Sequence, residues 1–182
     1  MIPHLKVITL IAAVVTPTAA ARQVDPAVCP LHAAHTQQVK KPDNHDAHAE
    51  MELRGNTAMG FDQSRASHHF RLAPDGGAIE IHTNSANDDA TRHQVTAHLE
   101  AIAGQFKRGD FAIPHATHAA MPDGVDGMIK WKDEITYRFE PSASGGRVVI
   151  ATSSPRARAA VHAFLRYQIR EHRTGDPSII VK

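Results

Sequence analysis

Apolar positions along this chain fall into three regimes. From Val7 to Val15 they form one run interrupted only by Thr9. From Ala21 to about Asn56 large aliphatic residues are scarce and no period holds. From Met59 onward they first alternate and then recur every three to four residues, the signature of strands followed by helices. Phe70 and Leu72 alternate with His69 and Arg71, which predicts a strand. Pro74-Asp75-Gly76-Gly77 signals a turn. Ala78–Thr83 returns as a second strand with Ile79 and Ile81 on one face, completing a hairpin. Asp88–Arg108 carries the stripe Val95, Leu99, Ile102, Ala103 and Phe106, and reads as a helix capped by Asn87 or Asp88 and ended by Gly109.

The same plan then recurs. Ile135, Tyr137 and Phe139 alternate, Ser142–Gly146 make a turn, and Arg147–Thr152 return. Ser154 caps a helix that begins at Pro155, carries Val161, Phe164, Leu165 and Ile169 as its stripe, and stops at Gly175. Gly76–Thr83 stands 69 residues before Gly145–Thr152, and the same offset carries Phe70 onto Phe139. Val95 and Leu99 meet Val161 and Leu165 at a slightly shorter offset. The expected body, residues 57–182, is therefore α+β, with an internal ββα-ββα repeat (66–110 and 133–176). A four-stranded antiparallel sheet with two helices on one face buries all the apolar surfaces together. Pairing of the two units across a homodimer is the alternative. The connection from 110 to 129 is long, and connections of that length are often functional or mobile.

The apolar run at the amino terminus is too short to cross a bilayer. With Lys6 before it, and Pro17 and Ala19-Ala20-Ala21 after it, residues 1–21 are expected to be a Sec signal peptide, placing the rest in the periplasm or outside the cell. No later run reaches spanning length, so no membrane span is expected. Once residues 1–21 are gone, 19 basic side chains (the 20 of the full chain less Lys6) balance 19 acidic ones. That balance gives no case for nucleic acid. The single Cys29 cannot form an internal disulfide, so it is a free thiol, a metal ligand or an intermolecular bridge.

Histidine carries the candidate chemistry: 14 of them, against one Cys and one Trp. In the stretch 22–56, expected to be a flexible tail, Cys29, His32 and His35 stand at steps of three. His45, His48 and Met51 repeat that step. Thiolate, imidazole and thioether together suit copper first and zinc second. A second candidate lies on the first hairpin. His69 and His82 both face away from the core, directly opposite in the expected register and diagonal in the next. Opposite Cβ atoms lie about 5 Å apart, a spacing at which two imidazoles can share an ion. The third is His115-Ala-Thr-His118 on the connection. His68 falls on the core side, and His93, His98, His162 and His172 read as surface or boundary positions on helices.

Catalytic signatures are missing: no GxSxG, HExxH, CxxC or phosphate loop. The chain therefore reads as a metal-binding protein for sequestration or delivery, with another periplasmic protein as possible partner. A metal-independent ligand- or protein-binding module is the runner-up, and a metal-dependent enzyme the third reading.

Val28-Cys29-Pro30-Leu31-His32 resembles the Cys-Pro-Met-His core of small heavy-metal-binding segments on copper and heavy-metal exporters, with Leu31 in place of Met. The body, through Met59-Gly60-Phe61-Asp62-Gln63, His68-His69-Phe70, Phe164–Ile169 and Thr174-Gly175-Asp176, resembles a family of exported bacterial proteins of no settled function. That resemblance implies an exported globular module and brings no catalytic residues with it.

Overall fold

The computed structural model describes residues 44–181, and the side chains from Ala47 onward. The expected signal peptide and Cys29, His32 and His35 lie outside these residues, and of His45 only the backbone is described. The described residues form one compact unit. Its elements are α1 (Asn44–Met59), β1 (Ala66–Ala73), β2 (Gly76–Thr83), α2 (Asp89–Lys107), α3 (Ala112–His118), α4 (Val125–Lys130), β3 (Thr136–Ser142), β4 (Gly145–Ala151) and α5 (Pro155–Glu171). No helix among the described residues is long and apolar enough to cross a membrane.

The four strands form one antiparallel sheet in the order β1-β2-β4-β3. Alternation places Phe70, Leu72, Ile79, Ile81, Val148 and Ile150 on one face. There they join Val95, Leu99 and Phe106 of α2 and Val161, Phe164 and Leu165 of α5 in a single core, so both long helices cover the same face. Each helix leans across the centre of the sheet. α2 packs on β4, β3 and β2, whereas α5 packs on β1 and β2. The opposite face is polar. Arg71 pairs with Glu80 at 3.6 Å, and Glu140 pairs with both Arg147 and Arg138.

The central β2–β4 pairing is matched end to end. Thr152 N–H donates to Asp75 O at 2.8 Å, and Thr83 N–H donates to Ser144 O at 2.8 Å. Each of these carbonyls belongs to the two-residue turn before a glycine, Gly76 (φ 146°) or Gly145 (φ 151°). A Cβ at Gly76 would sit 2.0 Å from Ile150 O, and one at Gly145 would sit 2.2 Å from Ile81 O. The glycines thus permit both the backbone angle and the close approach of the neighbouring strand.

Three expectations change. First, the stretch read as a flexible tail to residue 56 ends in α1, whose Met51 is 5% exposed. Gln63 anchors α1, donating from Nε2 to Glu52 O and from its backbone N–H to Asn56 Oδ1, both at 2.9 Å. Period-based reading misses this helix because it buries one large residue rather than a stripe. Second, the 110–129 connection is built from α3 and α4, with Thr117, Val125 and Met128 buried. Third, α5 stops before Gly175. Arg173 takes the left-handed position (φ 51°) that Gly109 fills after α2. Thr174 N–H reaches back to Ile169 O at 3.3 Å, as Asp110 N–H reaches Gln105 O at 2.9 Å. The α2 cap is as expected, with Asp88 Oδ1 accepting from Thr91 N–H at 3.1 Å.

Candidate metal centre

Five histidines from four elements meet along one seam of the body. His48 comes from α1, His68 and His69 from β1, His118 from the end of α3, and His172 from the C-cap of α5. The ring of His172 stacks on His68 at 5.3 Å between centroids and meets His118 edge-on at 5.1 Å. His68 also stacks on Phe61 at 5.8 Å, and His98 meets Phe61 edge-on at 5.6 Å.

Three spaces open from the seam. A cleft between α1 and β1 is lined by His48, Glu52, His68, His69, His172 and Thr174. A second cleft on the far side of His48 carries Met51 and His118, but also Arg54, Arg170 and Arg173. Three guanidinium groups against the one carboxylate of Glu171 make that second cleft a poor place for a cation. The third space is an inner cavity of about 40 Å³ behind His68, His118 and His172.

Burial sets the protonation of the imidazoles. Loss of water pushes His68 down to about 3, with the neighbouring His98 and His69 adding to the effect. Burial pushes His98 down to about 4. His118 is lowered by burial, against the Gln168 hydrogen bond. His172 falls well below its ordinary value through burial and the proximity of His68, His118 and His48. At neutral pH these rings are neutral, the form that binds metal.

His69 is held differently. Its Nδ1–H donates to Asp176 Oδ1 at 3.1 Å, which leaves the Nε2 lone pair free for a ligand. The same carboxylate, 4% exposed, accepts from Phe70 N–H at 2.9 Å and from Arg71 at 2.7 Å. A carboxylate behind an imidazole is the arrangement that orients histidine ligands of metals. Across the cleft, His48 Nε2 lies 3.4 Å from Glu52 Oε1, one turn along α1. Among the described residues, no three His, Cys, Asp or Glu side chains already converge at ligand distance, so a three-ligand site needs rotamer changes.

Of the residues singled out by sequence, His48 and His69 share the β1 cleft, while Met51 and His118 line the arginine cleft beside it. His69 and His82 are not opposite. The two-residue turn Pro74–Asp75 sets Ala73 against Gly76, which places Glu80 opposite His69 and Ser67 opposite His82. His82 is therefore the diagonal neighbour, and its Nδ1 lies 3.0 Å from Ser144 Oγ in a separate hollow. His115 is exposed and lines none of the three spaces.

Sequence reasoning read His98 as a surface or boundary position, yet it is buried, and its place inside the Val95–Leu99–Ile102 stripe was the signal. His172 is half-buried, a boundary position as expected, and what the sequence did not show is its ring contact with His68 and His118. His162 is also buried, and its Nε2–H donates to Ala73 O and Gly76 O, both at 2.9 Å, clamping the first hairpin turn. It is a structural histidine, remote from the clefts.

No protein family, curated protein or solved structure matches this chain.

Proposed function

We propose that this is an exported metal-binding protein that sequesters or delivers copper, with zinc as the second candidate ion. One observation carries the reading: His48, His68, His69 and His172, from three separate segments, line one cleft together with Glu52. Imidazoles beside a carboxylate are suited to Cu(II) and Zn(II). The Asp176–His69 pair supplies the outer hydrogen bond that such ligands use. The resemblance of the Cys29–His32 segment to heavy-metal-binding cores supports a second, soft site on the same chain. Delivery requires an acceptor, for which another periplasmic protein is the natural class.

The test is elemental analysis of the full-length chain expressed with its own leader and recovered from the periplasm, then reconstituted with Cu(II) or Zn(II). It is repeated on a His48→Ala/His69→Ala variant and on a Cys29→Ser/His32→Ala/His35→Ala variant. Residues 44–53 belong to α1, so substitution rather than truncation is required. Loss of metal in the first variant supports the cleft. Loss only in the second moves the ion to the amino-terminal segment. No metal in any form, even after reconstitution, overturns the metal reading.

A further inference from the structure

Behind the cleft, the inner cavity gathers unpaired polar atoms. His68 Nε2, Thr117 Oγ1, His118 Nδ1 and Gln168 Nε2 are all buried and have no hydrogen-bond partner among the described residues. All four side chains line the same space of about 40 Å³. That volume admits a few waters or a single ion and is far too small for a drug-sized organic ligand. A buried polar atom left unpaired is costly, so four beside one small space call for a guest.

The hydrogen bonding of His118 sets which of its nitrogens is available. Its Nε2–H donates to Gln168 Oε1 at 3.0 Å, so Nδ1 carries the lone pair. The lining also limits the guest. It contains imidazole, the thioether of Met59, hydrocarbon, Thr117 and Gln168, with no Asp, Glu, Lys or Arg. A divalent ion there would lack a neutralising anion in a medium that penalises charge steeply. A soft monovalent ion costs far less to bury, prefers imidazole and thioether, and accepts as few as two ligands. Two-coordinate binding also needs no converging triad.

We propose that this inner cavity is a Cu(I) site, with His68 Nε2 and His118 Nδ1 as its nitrogen ligands and the His172 ring packed against both. It shares His68 and His172 with the cleft of the metal-binding reading, on which it rests, but differs from it in oxidation state and in the use of His118. Gln168 is a positioning residue that holds His118 in the ligating tautomer.

The experiment uses the full-length protein with Cys29→Ser, His32→Ala and His35→Ala to silence the amino-terminal ligands. Ag(I), a redox-inert stand-in for Cu(I), is titrated while nitrogen NMR of the histidine rings is followed, and Zn(II) is titrated in parallel. At one equivalent of Ag(I), the expected result is a selective shift of His68 Nε2 and His118 Nδ1, with Zn(II) leaving His118 Nδ1 unmoved. Gln168→Leu should weaken Ag(I) by about 10–100-fold, the usual effect of losing an outer partner. Because the ring shifts are read without altering the body, misfolding of that variant leaves the assignment testable. Shifts confined to His48 and His69, or equal occupation of His118 by Zn(II), overturn the inner site and leave the metal-binding reading standing. No imidazole shift with either ion overturns the inner site and the cleft together, assigns the cavity to a buried water, and leaves the amino-terminal segment as the remaining place for metal.

Discussion

His69 donates through Nδ1 to Asp176 Oδ1 at 3.1 Å, joining a strand residue to the segment beyond the last helix. The other carboxylate oxygen, Oδ2, accepts from the Phe70 N–H of the edge strand β1 at 2.9 Å. One carboxylate therefore covers a sheet edge and orients a candidate ligand. Asp176→Ala should destabilise the fold by about 1–3 kcal/mol, because it strands the Phe70 N–H and leaves Arg71 with Glu80 alone. It should also weaken metal at the cleft by about 10–100-fold. Urea unfolding and metal titration on the same variant measure the two effects separately.

Acid should unfold this protein well above the range where carboxylates titrate. His68 and His98 are held to about 3 and about 4 by burial, against 6.5 ordinarily. The unfolded chain thus binds protons that the folded one does not as pH falls below 6.5. Stability is complete above about pH 7 and is lost below it at up to about 1.4 kcal/mol per pH unit for each ring. His98→Phe should remove one ring's share of the slope. Thermal midpoints between pH 7 and pH 4 check this, and a midpoint independent of pH in that range would refute it.

Asp176 acts at lower pH with its own sign. Burial works to raise its pKa, yet hydrogen bonds from Phe70, Thr174 and His69 and the charge of Arg71 bring it below the ordinary carboxylate value. Its stabilisation is present above about pH 4 and is lost as pH falls through its lowered folded value. Asp176→Asn should flatten that acid limb without altering the imidazole limb.

Gly76→Ala and Gly145→Ala should each cost about 3 kcal/mol or more. The new methyl group meets a backbone carbonyl at 2.0 or 2.2 Å, and backbone there cannot move without breaking the β2–β4 ladder. Urea midpoints compared with Gly60→Ala, where a Cβ meets nothing within 4 Å, separate packing from backbone strain.

His162→Leu should leave metal binding untouched while costing about 1–3 kcal/mol, since two turn carbonyls lose their donor. Metal lost from this variant while it remains folded would contradict the division between structural histidines and the proposed ligands.

Period and turn chemistry are local, which is why so much of the fold is legible in the sequence. Phe70 and Leu72 against Ile79 and Ile81 define a hairpin with one apolar face, and the stripes through Val95 and Val161 define helices that must cover it. Those patterns alone determine an α+β chain with an antiparallel sheet and both helices on one side. Four facts are decided only by packing. The tight Pro74–Asp75 turn fixes the register and separates His69 from His82. The helix α1 docks by Met51 and the Gln63 hydrogen bonds rather than by a repeating stripe, so no period announces it. Asp176 reaches β1 across more than 100 residues of chain. Finally, His68, His118 and His172 meet because a strand, a short helix and a helix end converge at one side of the core. Periodicity tells which face a residue takes, but which distant faces share a seam depends on how the elements close around the core. The histidine types were visible in the chain, and their neighbours were set by the fold.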